Sequence, residues 1–148
     1  MKKTRTLFIA SDHAGFDLKS TLVRSQIAMN CGFEFKDLGP SSSDRVDYPD
    51  YSEKLVTEML NGKAECPLGV LICGSGQGMA MSANRHKKIR AALAWSEESA
   101  QLSRAHNDAN VLCLGARLID PALALKVLEV FLTTEFEGGR HTARIEKF

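Results

Sequence analysis

Short, wholly apolar runs alternate along this chain with longer segments whose apolar residues recur every three or four positions. RTLFIAS (Arg5 to Ser11), LGVLIC (Leu68 to Cys73), IRAALAW (Ile89 to Trp95) and NVLCLGA (Asn110 to Ala116) are runs of the first kind. Each has the length of a strand and little polar surface, so the pattern predicts strands covered on both faces. FEFKDLG, from Phe33, adds a shorter one. The periodic segments predict helices. Phe16 to Asn30 carries Leu18, Leu22 and Met29 on one face, with Gly32 as its stop. A second helix is marked by Tyr51, Leu55 and Met59 and ends near NGK; a third runs from about Met79. Ser96 caps a fourth that runs toward Arg104, with Ser99 as an alternative start. In PALALKVLEVFLTT, Pro121 suits a first turn, and Leu123, Val127, Val130 and Phe131 form one stripe.

Fully apolar strands alternating with helices predict an α/β fold, doubly wound: a three-layer, Rossmann-like sandwich around a five-stranded parallel sheet. The whole chain, 1–148, reads as one domain without internal repeat, low-complexity stretch or linker. Ligands of such sheets bind beyond the carboxyl ends of the strands. SDHAG follows the first strand, CGSGQG the third and GARLID the fifth, while RAHNDAN leads into the fifth. All four are expected near that one edge. The loop from Pro40 to Asp50 is long enough to serve a function.

Composition narrows the choice of partner. A formal net charge of +1, with 44% hydrophobic and 25% charged residues, leaves no broad basic footprint for nucleic acid or an anionic membrane. No apolar run approaches the roughly 20 residues of a membrane-spanning helix, and MKKTRTLFIAS holds too short an apolar stretch for a secretory signal. A cytoplasmic location is expected. Cys31, Cys66, Cys73 and Cys113 have neither C-x-x-C nor zinc-finger spacing, which favours reduced thiols. Cys113, inside NVLCLG, reads as core filler.

The chemistry is densest in LICGSGQGMAMSANR, Leu71 to Arg85. A glycine-rich strand-to-helix turn presents successive N–H groups to an anion. Met79 occupies the place where a dinucleotide fingerprint needs glycine and a C-x-x-x-x-x-R phosphatase loop needs arginine; a P-loop would need Gly-Lys-Ser/Thr. What remains is a cradle for a small anion, a phosphate or an enediolate oxygen. Cys73 at its entrance is either a nucleophile or base, or a buried strand-end residue beside glycines that serve the turn. Asp12 and His13 either contact hydroxyls or phosphate, or are a helix cap and a surface residue. His106, Asn107 and Asp108 offer acid–base groups or a solvated turn. Arg140 and Arg144, four apart, would share a helix face as a phosphate clamp, though a solvated surface pair is the simpler reading of that spacing. Arg117, directly after the fifth strand, is better placed to join a clamp.

Together SDHAG, ICGSGQGMAMSANR, QLSRAHNDANVLCLGAR and FEGGRHTARI, in this order from Phe8 to Ile145, resemble the type B ribose-5-phosphate isomerases. The broader group includes the galactose-6-phosphate isomerase subunits. The resemblance implies a Rossmann-like fold and aldose–ketose isomerisation of ribose 5-phosphate and ribulose 5-phosphate, without metal or organic cofactor. It also implies homodimers, often dimers of dimers, with sites shared across the interface. Cys73 would move the proton between C2 and C1, and His106 would open the sugar ring. Asp12 and His13 would contact sugar, and Gly74, Gly76, Gln77 and Gly78 would wrap the reacting end. Asn107, Arg117, Arg140 and Arg144 would bind oxygens or phosphate. Ser75 stands where many members carry threonine and would donate to the oxyanion. One subgroup places a glutamate base where this chain has Met79, so Cys73 marks the cysteine-dependent subgroup.

That chemistry suits the turn, since preorganised N–H donors stabilise an enediolate by about 3 kcal/mol each and also favour a thiolate beside them. Two rivals keep the fold: an isomerase of a six-carbon 6-phosphate such as allose or galactose 6-phosphate, and a sugar-phosphate sensor without catalysis.

Overall fold

The apolar runs form one parallel sheet in the computed structural model, which describes residues 3–148. Its strands are β1 (Arg5–Ser11), β2 (Phe33–Asp37), β3 (Leu68–Cys73), β4 (Ala91–Leu93) and β5 (Val111–Gly115), in the spatial order β2-β1-β3-β5-β4. The helices are α1 (Phe16–Arg24), α2 (Ile27–Asn30), α3 (Tyr48–Asn61), α4 (Gln77–Ala83), α5 (Glu97–Asn107), α6 (Pro121–Thr133) and α7 (Arg140–Ile145). Side chains alternate across each strand, so the two faces bury separate cores. Leu7, Ile9, Val70, Ile72, Leu112 and Leu114 meet α1, α2, α5 and α6 on one side. Phe8, Ala10, Leu71, Cys73, Val111 and Cys113 meet α3 and α4 on the other. This is the doubly wound sandwich that wholly apolar strands demand. Among the described residues no helix is long and apolar enough to cross a membrane.

Several expected boundaries move. The helix expected over 16–30 is two helices, because Ser25 is extended (φ −72°, ψ 159°) and its hydroxyl donates to the Leu22 carbonyl at 2.7 Å. The break turns Met29 out to 62% exposure, and Ala28 takes the buried place instead. α3 begins at Tyr48, three residues before Tyr51, with Pro49 in its first turn. The preceding loop is shorter for it, and Tyr48 sits on a helix. α4 starts at Gln77 rather than about Met79, and β4 keeps three residues of the seven expected. Ser96 and Ser99 are not alternatives: Ser96 Oγ accepts from the Ser99 N–H at 3.0 Å, and Ser99 Oγ accepts from the Ser96 N–H at 3.0 Å.

The larger correction concerns direction. Cys73 pairs with Gly115 at the carboxyl edge of the sheet, whereas Gly69 pairs with Val111 at the amino edge. RAHNDAN precedes β5 and so lies at the amino edge, away from the other three clusters. Four residue steps of strand, about 13 Å, separate Val111 from the Gly115 level.

Candidate active site

At the carboxyl edge, β1 and β3 end side by side and their loops knit together. The Asp12 N–H donates to the Ile72 carbonyl at 3.1 Å, and the buried Asp12 carboxylate accepts the Gly15 N–H at 3.0 Å ahead of α1. Asp12 thus closes the turn before Gly15, the N-cap residue of α1, and still lines the cleft. Beyond β3 the chain turns so that the Gly76 N–H donates to Cys73 Sγ at 3.2 Å. Gly76 has φ +76°, and a Cβ on it would lie 2.6 Å from Leu93 Cδ1 and 2.9 Å from the Leu114 carbonyl carbon. No side chain fits there, so the N–H directed at sulfur depends on glycine.

The loop after β5 closes the cleft from the other side. Ala116 and Arg117 donate their N–H groups to the carbonyls of Cys73 and Gly74 at 2.9 and 3.0 Å. The Arg117 guanidinium lies against Gly74, where an added Cβ would meet Nη1 at 2.7 Å. Ser75 Oγ accepts the Gln77 N–H at 3.4 Å, which leaves its own hydrogen free to donate. The resulting hollow, about 390 Å³, is lined by Asp12, Tyr48, Cys73, Ser75, Gly78 and Arg117 among others. A hollow of about 610 Å³ opens beside Arg45 and Lys54, but the strand-end thiol and the glycine turn belong to the smaller one.

Not every residue expected at these strand ends lines the cleft. His13 turns to the 40–47 segment, its Nδ1 3.0 Å from the Val46 carbonyl oxygen. Gln77 is exposed at the start of α4. Tyr48, expected within the loop from Pro40 to Asp50, is instead a wall of the cleft: a Cβ on Gly78 would meet its ring at 2.6 Å.

A second cluster occupies the far end of α5. His106 stacks on His141 with ring centroids 4.2 Å apart and planes 13° from parallel. Glu137 Oε2 lies 3.9 Å from His106 Nε2 and 3.5 Å from His141 Nε2. α7 carries Arg140 and Arg144 beside them, so the two arginines do share a helix. Burial holds the His141 ring below the usual imidazole range, and the charges of His106, Arg140 and Arg144 push the same way against Glu137. Asp108 is structural: it ends α5 at φ +44° and is ion-paired to Arg104 at 2.9 Å and Arg90 at 3.3 Å. Asn107 is exposed beside His86, Lys87 and Arg90, outside the Cys73 cleft.

The donor atoms of His106, Glu137 and His141 fall within 4.8 Å of one another. An imidazole binds a metal in its own ring plane, and one ion cannot lie in two planes that are stacked nearly parallel. The positive charges of Arg140 and Arg144 also act on His141. As arranged, the cluster suits an anion better than a cation.

On the thiol side, burial pushes Cys113 above the ordinary thiol range, with the neighbouring Cys73 adding to it. Cys113 is therefore a neutral core residue. Met79 is fully buried in the same core as Cys73, so no carboxylate enters the cleft from that position.

Comparison with known proteins identifies the family. The ribose/galactose isomerase family model matches residues 7–148. Ribose-5-phosphate isomerase B of Escherichia coli is 41% identical over 135 residues, covering 91% of this chain and 88% of its own. The structure of ribose 5-phosphate isomerase B from Anaplasma phagocytophilum is 47% identical and covers 99% of each chain with a TM-score of 0.87. That of a ribose 5-phosphate isomerase from Thermotoga maritima is 45% identical, covering 97% and 96%, with a TM-score of 0.89. A thiol addressed by a glycine-turn amide, on a sheet of this topology and with this much shared sequence, places the chain in the ribose/galactose isomerase family.

Proposed function

We propose that this protein is a single-domain, cytoplasmic aldose–ketose isomerase that interconverts ribose 5-phosphate and ribulose 5-phosphate through a cis-enediolate. The observation that carries this reading is the Gly76 N–H directed at Cys73 Sγ within a cleft that also holds Asp12, Ser75 and Arg117. As a thiolate, Cys73 removes the proton from C2 of the open-chain aldose. The electron pair moves into a C1–C2 double bond, and O1 takes the negative charge. Donors of the Gly74–Gly78 turn and the Ser75 hydroxyl hold that oxygen, each worth about 3 kcal/mol in the transition state. The hydroxyl proton on O2 passes to O1, the thiol returns its proton to C1, and C2 becomes the ketone. Sulfur ends as it began, so the step needs no external oxidant, and the turn donors supply the stabilisation of the oxyanion.

Ring opening and phosphate binding fall to the other cluster. His106, with Asn107, protonates and deprotonates the ring oxygen and anomeric hydroxyl, and Arg140 and Arg144 hold the phosphate. In one chain these groups belong to the opposite edge of the sheet from Cys73. A second copy of the chain therefore supplies them, in a homodimer whose two sites each draw on both copies.

A coupled assay for ribulose 5-phosphate, run with and without a chelator, tests the reading. Turnover should be unchanged by chelation and abolished in Cys73→Ala, with substrate still bound. Wild-type-like turnover in Cys73→Ala removes sulfur from the reaction. Faster turnover of a six-carbon 6-phosphate would transfer the same mechanism to a longer sugar.

A further inference from the structure

A lysine is the least expected side chain in the interior of this fold. Lys19, on α1 between the core residues Leu18 and Leu22, is 2% exposed. Its ammonium donates to both oxygens of Asp37, at 2.7 and 2.9 Å, and to the Pro40 carbonyl at 2.8 Å. Burying an ammonium group is costly even when it is paired, and apolar replacements of buried ion pairs are often neutral or stabilising. Stability alone is thus a weak reason for it.

What the ammonium fixes is the point where the chain leaves β2. Asp37 is the last residue of β2 and also accepts the Gly39 N–H at 2.9 Å. Pro40 opens the segment 40–47, which has neither helix nor strand and is largely exposed. The segment's far end is tied by His13 to Val46 and then delivers Tyr48 onto Gly78. One wall of the cleft therefore follows a peptide held at its root by this buried charge, beside the Leu38 N–H to Ile9 and Ser11 N–H to Gly39 backbone bonds at 2.8 and 3.1 Å.

Building on the isomerase reading of the cleft, we propose that Lys19 is a positioning residue for that reaction. Its ammonium sets the exit of the chain from β2 and, through residues 40–47, seats the Tyr48 ring against the glycine turn. Tyr48 borders the turn that wraps the reacting carbons, so loss of the tether falls on turnover more than on phosphate binding. Misplacement of a catalytic wall by a fraction of an ångström to one ångström costs roughly tenfold to a hundredfold in rate.

The test uses the full chain with 3-fluorotyrosine at its two tyrosines, Tyr48 and Tyr51, the Tyr48 fluorine signal being assigned with Tyr48→Phe. Lys19→Met should lower kcat about tenfold with KM within about twofold, and move the Tyr48 signal toward that of the free amino acid. In a Tyr48→Ala background Lys19→Met should cost no further kcat, because the two act through one contact. Asp37→Asn removes the pairing charge and sets an amide NH2 against the ammonium in place of one carboxylate oxygen, so its kcat should fall in the same direction as in Lys19→Met. If Lys19→Met does not fold, Lys19→Gln, one bond too short to span to Pro40 as it stands, carries the same expectations. Wild-type kcat in Lys19→Met or in Asp37→Asn, an unmoved Tyr48 signal, or additive losses with Tyr48→Ala each overturns the proposal. Should the wild-type chain show no isomerase activity, the fluorine signal still decides whether Lys19 seats Tyr48, and the functional reading fails separately.

Discussion

Cys73, Asp12, Ser75 and Arg117 do their work through what each touches within a few ångströms, and those contacts give the residue-scale account its tests. His141 offers one by titration. Its folded-state affinity for a proton lies below the ordinary imidazole value of 6.5 because it is buried beside His106, Arg140 and Arg144. Above that pH the ring is neutral whether the chain is folded or not, so it contributes nothing. As pH falls below it, the unfolded chain takes up a proton that the folded chain resists, and stability drops. Thermal midpoints measured from about pH 7 to about pH 5 should therefore fall less steeply in His141→Gln than in wild type; equal slopes would contradict the assignment. At this scale the sequence was a partial guide. Strand-end cysteine, aspartate and glycine advertise themselves by residue type, and Arg117 by its place after β5. Tyr48, His141, Glu137 and Lys19 carry no such mark. Tyr48 is informative through a contact with Gly78, thirty residues on, and Lys19 through Asp37 and Pro40. A lysine between Leu18 and Ser20 looks in sequence like any helix surface position.

At the scale of elements, α7 gathers the second cluster. It is six residues long, and its packing against α5 brings His141 onto His106. Arg140→Ala and Arg144→Ala should each raise KM by about tenfold or more while kcat holds, as expected for a charge-assisted contact to a non-reacting phosphate. A fall in kcat at unchanged KM would move the arginines into the chemical step. Periodicity was enough to find every strand and the long helices, because apolar spacing is what the two cores select. It was not enough for the break at Ser25, where the hydroxyl and N–H of Ser25 both donate to the Leu22 carbonyl and end the helix. The placement of RAHNDAN at the carboxyl edge failed for a topological reason: a segment that leads into a parallel strand arrives at its amino end.

For the whole molecule, that correction sets the central question. One chain places its thiol and glycine turn at one end of the sheet and its histidine pair and arginines at the other. The proposed mechanism brings both to one five-carbon sugar and so calls for two copies, each lending the other an end. Mixing inactive Cys73→Ala with inactive His106→Asn under subunit exchange tests this most directly. In mixed dimers one site carries both substitutions and the other carries neither, so an equal mixture should recover about a quarter of wild-type activity. No recovery, with mixed dimers demonstrably formed, would mean that Cys73 and His106 act within one chain or not together, and the account would be wrong.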